Sequence, residues 1–469
     1  MPALLRQPKY LILLLMLCLS ASVLLFPIAD LTTAQNHTLA LVLLVVPLWS
    51  TGVIPEFLTA LVFFLLAILA GLAPPSLVFS GFSSTALWLI FAGGVMGMGI
   101  QTTGLGDRLA TFLQQVLAGS YRRMIFGLVL ISLMLGFLMP SSMGRLIMML
   151  PIVMALATRL GFEPGSNGRT GIILAVAIGA HIPTVSILPS NIPNMVLSGA
   201  AESLYGIQLG FTEYLILHFP ILGLMKSLVL AMLILKVYPV ASTDPAALKL
   251  AQREEGPLFP HLNGLQKRMM TIMLAALALW LTDDIHGISP AWVGLAAAVL
   301  LLLPKVGLVD AQKFNMNVTM LLLIAGVLGL GALINSSGVG QWLAQQLEIA
   351  LPMEKGNNLH NFLSLAAIAF LSTLPTTQAG SPAMLTPMAQ HFADSSGLSV
   401  YTVLMTQVMG YANIMFPYQS GPLMMAIALT GEASVRVLKV MMPLALIGLL
   451  VLVPLDYLWW EALGMFQHP

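Results

Sequence analysis

Charge is what this sequence has least of. Aspartate, glutamate, lysine and arginine make up 8% of the 469 residues while 58% are apolar, and the mean hydropathy is +0.94. Soluble domains carry roughly 25% charged residues, so this inventory cannot cover a water-facing surface. Cysteine is nearly absent as well. Cys18 is the single one, which excludes a disulfide framework and any cysteine metal site within one chain. Lying in the first apolar run, it reads as lipid-facing packing. No basic block or aromatic–basic alternation suits nucleic acid, and the net charge is only +1. Catalytic signatures are missing too: there is no phosphate-binding glycine loop, no HExxH pair and no nucleophile elbow. No soluble stretch is large enough to hydrolyse ATP, and Asn36-His37-Thr38 is a glycosylation sequon by letters alone.

Long apolar runs fill the chain instead, and runs of 18 or more residues read as membrane helices. The expected fold is an all-α polytopic membrane protein. Spans are expected at 10–28, 38–54, 57–73, 84–104, 171–189, 213–237, 268–282, 289–304, 317–337, 399–416 and 434–458, about 11 in all. The first run, Tyr10 to Ile28, is too long for a signal-peptide core and reads as a span.

Two stretches do not fit the span pattern. Arg145 is the only charge among the 35 residues between Arg123 and Arg159, and the 38 residues between Lys355 and Asp394 carry none apart from histidines. Thirty-five helical residues would reach about 52 Å against a hydrocarbon core of about 30 Å, too long for one span and too short for two. Re-entrant hairpins at 124–158 and 357–393 are therefore expected. By the positive-inside rule, Arg108, Arg122, Arg123, Arg159 and Arg169 place both ends of the first hairpin in the cytoplasm. Lys236, Lys249, Arg253, Lys267 and Arg268 mark a cytoplasmic loop over 238–266, and Lys305, Lys313, Arg436 and Lys439 also face in. The second hairpin's poorly basic flanks, and Asp283 with Asp284, face out. The N-terminus then lies inside and the C-terminus outside.

The chain also repeats itself. GLGDRLA (104–110) matches GVGQWLA (338–344), PSS (140–142) matches PTT (375–377), and LPSNIPNM (188–195) resembles FPYQSGPLM (416–424), at offsets of 234, 235 and 228 residues. Colinear matches at one spacing indicate duplicated halves, and hairpins on opposite sides make the repeat inverted, as in many secondary transporters. The organisation reads as scaffold helices over 1–80, a first core over 81–212, linking helices over 213–316, a second core over 317–430 and a last helix over 431–469.

Within a bilayer a helix is broken only where protein or water can satisfy its backbone. LMPSSMGRLIMMLP (138–151) and TLPTTQAGSPAMLTP (373–387) break the hairpins with proline, hydroxyls and glycine. Each break presents a half-helix N-terminus, whose free N–H groups and positive dipole end favour an anion. Ser190, Asn191, Pro193 and Asn194 form one later interruption, and Pro417 to Pro422 form another, both carrying amides able to hold a cation or a carboxylate. The substrate-binding candidates are Ser141, Ser142, Gly144, Arg145, Asn191, Pro193, Asn194, Thr376, Thr377, Gln378, Gln419 and Ser420. The coupling-ion candidates are Ser141, His181, Ser190, Thr377 and Gly380. Backbone-bonded hydroxyls, simple kinks and extramembrane loops are the plainer explanations of the same residues.

Hairpins followed by broken helices resemble the divalent-anion/sodium symporter family and its wider relatives, the ion transporter superfamily. PLWSTGVIPEFLTALVFFLLAILAG (47–71), GFSSTALWLIFAGGVMGMGIQTTGLGDRLA (81–110) and MMPLALIGLLVLVPLDYLWW are similar to that family's segments. The resemblance implies a homodimer, a shared anion site and two sodium sites shaped by Ser-Asn-Thr hairpin tips. Here those tips read Ser141-Ser142-Met143 and Thr377-Gln378-Ala379, and the breaks read SNIPN and YQSGP. The architecture transfers; sodium coordination is in doubt.

Arg145 departs furthest from the family pattern. A buried membrane arginine marks a substrate path, an ion pair or a gate, and its guanidinium suits a bidentate grip on an anion. The structural alternative pairs it with Glu56 or lets it snorkel. His181 could carry a proton or merely bond a neighbouring helix. Lys226 lies mid-span, and Glu56 follows Pro55 at a span start. The expectation is an inner-membrane secondary carrier of small divalent anions, a dicarboxylate first, working by alternating access and either cation-coupled or exchanging anions. Arg145, with His181, would supply fixed positive charge where family members recruit Na⁺. No cofactor is expected beyond Na⁺ as a coupling ion, and no nucleic-acid partner. A cation/proton antiporter, an anion channel and a non-transporting sensor are the competing readings.

Overall fold

The computed structural model describes residues 8–105, 120–240, 262–312, 314 and 318–466. Arg108, Lys249, Arg253, Lys313, most of the 238–266 loop and the end of the first GLGDRLA repeat lie outside the described residues. Every regular element among the described residues is helical. Seven described segments are at least 18 residues long and apolar enough to cross a bilayer, and five apolar helices are shorter.

The chain opens with α1 (Pro8–Leu25), α2 (Thr33–Thr51), α3 (Glu56–Leu69) and α4 (Thr85–Thr103). Asn36 joins α1 to α2. Its amide donates to the carbonyls of Ile28, Leu31 and Thr32 while its oxygen accepts from the Ile28 N–H. That buried role gives the sequon letters a structural meaning. Cys18 is exposed on α1.

The first hairpin is α5 (Tyr121–Leu138) followed by α6 (Ser142–Arg159). Each arm has 18 residues, about 27 Å at 1.5 Å per residue. The arms begin and end outside the expected 124–158 because they run on through Arg122, Arg123 and Arg159. Both pack on α7 (Asn167–Gly179).

A helix over 171–189 is not what forms. α7 stops at Gly179, two 3-10 turns follow at Pro183–Ser186 and Leu188–Ser190, and α8 begins at Ile192 and runs to Tyr205. Pro183 and Pro189 lack an N–H, and a proline ring clashes with the carbonyl four residues back. The interruption is therefore longer than expected and contains His181, which had been placed mid-span.

α9 (Phe211–Val237) follows, with a π-helical stretch at Phe219–Met225, then α10 (Gly264–Leu281), α11 (Pro290–Leu302) and α12 (Val318–Ser337). The second half continues with α13 (Val339–Ala350) and the outgoing hairpin arm α14 (Asn358–Thr373). The returning arm is broken into α15 (Gly380–Leu385), a 3-10 turn at Thr386–Met388, and α16 (Ala389–Ser396). Pro382 and Pro387 divide it. α17 (Val400–Ala412), α18 (Gly421–Thr430) and α19 (Ser434–Ala462) complete the fold, α19 with its own π stretch at Gly448–Leu452.

Apolar packing falls into two large clusters. One gathers α2, α3, α4 and α12 with α14–α17, the other α5, α6 and α7 with α9, α18 and α19, while α1 packs in a small cluster of its own with Leu39, Ala40 and Val339. Large apolar side chains also point outward, including Leu25, Leu65, Leu228 and Leu450. In water such a surface would aggregate; in a bilayer it faces lipid.

Candidate functional site

The breaks of both halves open onto one cavity of about 460 Å³, within the range of small-molecule sites. Four helix N-termini reach it: α6 through Ser141 and Ser142, α8 through Asn191 and Pro193, α15 through Ala379 and Gly380, and α18 through Ser420 and Gly421. Two caps are built from side chains. Ser141 Oγ accepts from the Gly144 N–H at 3.1 Å, and Ser420 Oγ accepts from the Leu423 N–H at 3.3 Å. The remaining first-turn N–H groups and the positive dipole ends favour negative charge.

His181 and Gln378 join the two halves at this cavity. Nε2 of His181 donates to Oε1 of Gln378, whose own amide donates to the Tyr411 carbonyl at 2.6 Å. The Gln378 backbone N–H donates to the Gln419 carbonyl at 2.9 Å. Gln419 is in turn fixed: its amide reaches the Thr373 carbonyl at 2.7 Å, and its oxygen accepts from the Met415 and Phe416 N–H groups. Four buried atoms at the first break, His181 Nδ1, Ser190 Oγ, Asn191 Oδ1 and Asn194 Oδ1, have no hydrogen-bond partner in the protein. Such atoms ask for a ligand or water.

Of the expected site residues, Ser141, Ser142, His181, Asn191, Pro193, Thr377, Gln378, Gly380, Gln419 and Ser420 line the cavity. Gly144, Arg145, Ser190, Asn194 and Thr376 stand behind it. Asn194 holds the first break together, its amide donating to the carbonyls of Val185, Ile187 and Leu188 at 2.9, 2.9 and 3.2 Å. Thr376 bonds back to the Ser372 carbonyl at 2.9 Å.

Arg145 is fully buried, and its guanidinium points at backbone. Nε and Nη2 donate to the Ala180 carbonyl, Nη2 also to Thr184 Oγ1 and the Ser190 carbonyl, and Nη1 to the Met139 carbonyl. It ties the hairpin tip to the unwound segment. The acidic partner considered for it, Glu56, instead lines the cavity. Glu56 is the one charged side chain among the described cavity residues.

The wall of the cavity opposite the breaks is not legible in the sequence beyond Glu56. Trp49, Met98, Thr319, Met320 and Leu323 also line the cavity. They sit in ordinary apolar stretches, and nothing in their local sequence distinguishes them from lipid-facing residues.

Comparison with known proteins comes to the same place. A family profile described as "Sodium:sulfate symporter transmembrane region" matches residues 7–466. A protein described only as a membrane protein, from Cupriavidus necator, is 26% identical over 458 residues, covering 92% of this chain and 89% of that one. The L-tartrate/succinate antiporter of Escherichia coli K12 is 27% identical over 355 residues, covering 73% and 72%. Among solved structures, the YdaH transporter of Alcanivorax borkumensis aligns with a TM-score of 0.50 at 16% identity, over 93% of this chain and all of that one. That likeness concerns the fold alone.

Proposed function

The chain belongs to the sodium:sulfate symporter family, and from that premise we propose that it is a secondary carrier of small dianions, a dicarboxylate first, working by anion exchange rather than by Na⁺ symport. The observation that carries the reading is the convergence of four helix N-termini on one cavity of about 460 Å³. An extended dicarboxylate has a charged group for each half of such a site. Ser141, Ser142 and Asn191 would face one carboxylate, and Thr377, Gln378 and Ser420 the other. The relative named an L-tartrate/succinate antiporter supports both the substrate class and the exchange mode.

Arg145 supports independence from Na⁺. Unwound carbonyls and half-helix C-termini are where transporters hold a coupling cation. Here the carbonyls of Met139, Ala180 and Ser190 already face a guanidinium. Its role in this reading is to position the tip and the break, with the substrate touching neither Arg145 nor Asn194. The hairpin-bearing regions would move against the scaffold in alternating access. The carrier would act as a homodimer in the inner membrane, N-terminus inside and C-terminus outside.

A Na⁺-coupled symporter is the second reading. It is favoured by the buried, unpartnered Ser190 Oγ, Asn191 Oδ1 and Asn194 Oδ1 beside the first break, with Ser141, Thr377 and Gly380 as further ligands. Binding separates the two. Purified protein in Na⁺-free choline buffer should be stabilised against heat by succinate or tartrate, with sulfate and citrate as comparisons. Stabilisation that appears only when Na⁺ is added would reverse the preference, and none with any dianion would remove the carrier reading.

A further inference from the structure

Arg145 has a counterpart in the other half that no repeat of its own sequence announces. α7 ends at Gly179 with Ala180 as its C-cap, and α17 ends at Ala412 with Asn413 as its C-cap. The segments read AHI (180–182) and ANI (412–414), offset by 232 residues, inside the 228–235 spacing of the duplicated halves. Both helices are cut short inside the protein, so their last carbonyls need donors and carry the negative end of the helix dipole. At Ala180 the donor is a buried arginine. At Ala412 it is a buried lysine: Lys226 Nζ donates to the Ala412 carbonyl and to Asn413 Oδ1, each at 2.5 Å.

Lys226 arrives from outside that helix. It follows the π stretch of α9, and Asp456, whose charge acts on it, lies four residues beyond the π stretch of α19. The two residues lie 230 apart, so α9 and α19 occupy matching places in the repeat, one bearing a cation and the other an anion. Both side chains are fully buried and electrostatically coupled. Neither Asp456 oxygen accepts a hydrogen bond in the protein. Gly448 makes room for the arrangement: a Cβ there would lie 1.8 Å from Asn413 Oδ1 and 3.3 Å from Lys226 Nζ. π stretches are costly in a helix and concentrate at functional sites. An unpaired buried ammonium or carboxylate is costlier still.

We propose that Lys226 is a resident cation filling a small-cation site at the second helix break, a site whose ligands are the Ala412 carbonyl and the Asn413 side-chain oxygen, with the buried Asp456 carboxylate supplying negative charge from beyond hydrogen-bonding reach. Oxygen ligands of this kind, a carbonyl and an amide, with a carboxylate close by to balance the charge, are what a dissolved alkali or ammonium ion takes. The lysine occupies the place permanently, as Arg145 does in the first half. This deepens the reading of the chain as a carrier that takes no dissolved cation. It makes Lys226 a positioning residue for the second break and for Gln419 beyond it, not a group that touches the anion.

Truncating the lysine should empty the site without removing its ligands. The test is thermal unfolding of purified wild type and Lys226→Ala at constant ionic strength, in choline chloride, methylammonium chloride or NaCl. Lys226→Ala should gain about 2 °C in methylammonium or Na⁺ over choline, the shift expected at roughly tenfold excess over Kd for a chain of this size. Wild type should show no difference among the salts. No cation-specific shift in Lys226→Ala, or the same shift in wild type, would overturn the proposal. Should Lys226→Ala not accumulate, Lys226→Met is compared with Lys226→Met/Asp456→Asn. The double variant should accumulate better because it leaves no lone buried charge, and equal failure of both would count against the site. The readout needs no flux, so it stands or falls separately from the transport assignment.

Discussion

Arg145 and Ala180 are joined twice: Nε donates at 3.1 Å and Nη2 at 2.8 Å to the same carbonyl oxygen. An anion-gripping arginine would present that edge of its fork to the cavity. This one presents it to the end of a broken helix. Replacing Arg145 with alanine removes a charged donor from the carbonyls of Met139, Ala180 and Ser190, although Met139 keeps the Ser141 N–H and Ala180 the Thr184 hydroxyl, and hydrogen bonds to a charged group contribute about 1.5–3 kcal/mol each. The expected outcome for Arg145→Ala is a Tm lower by at least about 5 °C with exchange reduced more than tenfold. Arg145→Lys, which keeps the charge but not the fork, should fall between. Wild-type stability and flux in Arg145→Ala would show that the clasp is idle.

His181 and Gln378 should behave as one unit in anion binding. Their hydrogen bond crosses from one half to the other, and both line the cavity. His181→Ala and Gln378→Ala should each weaken succinate binding by roughly tenfold, about 1.4 kcal/mol. The double variant should lose less than the sum, because neighbours sharing a bond do not add. A double-mutant cycle on Kd measures this directly, and strict additivity would mean that the bond does not organise the site.

Glu56 is an acid at the edge of a site read as anionic. Glu56→Gln should therefore raise affinity for a dianion severalfold, more at low than at high salt, since screening weakens the repulsion. Binding titrations at two ionic strengths check it. An unchanged Kd at both would place Glu56 away from the substrate.

Gly93 and Gly97 lie one turn apart on α4 and should respond differently to the same methyl group. A Cβ at Gly93 would stand 2.8 Å from the Pro140 carbonyl oxygen at the hairpin tip, whereas nothing lies within 4 Å of one at Gly97. Gly93→Ala should destabilise by about 1–3 kcal/mol as the tip is displaced and should slow exchange; Gly97→Ala should be close to neutral. Thermal unfolding and flux on the two variants decide it. Equal behaviour would contradict the close packing of α4 on the tip.

What the sequence made legible was what backbone chemistry forces. Pro140 with Ser141, and Pro417 with Ser420, break apolar helices that cannot otherwise break in lipid, so the tips and the line of cavity residues could be read directly. Side-chain direction could not. Arg145 and Ser141 share one turn, yet Ser141 faces the cavity and Arg145 turns behind it, because the carbonyl it reaches at Ala180 comes from a helix 35 residues away. The early end of α7 was missed for a related reason. Its apolar run continues to Leu188 with His181, Thr184 and Ser186 only scattered through it, and Pro183 is the one residue before Leu188 that signals a stop. In the sequence Lys226 is an isolated mid-span charge; its partners Ala412 and Asn413, and Asp456 whose charge acts on it, are all distant along the chain.

The central claim is exchange of dianions without a dissolved cation, and uptake of labelled succinate into proteoliposomes tests it most directly. Vesicles are loaded with unlabelled succinate or left empty, and diluted into Na⁺ or choline medium. The account predicts rapid uptake into loaded vesicles only, equal in the two media. Uptake into empty vesicles driven by an inward Na⁺ gradient would contradict it.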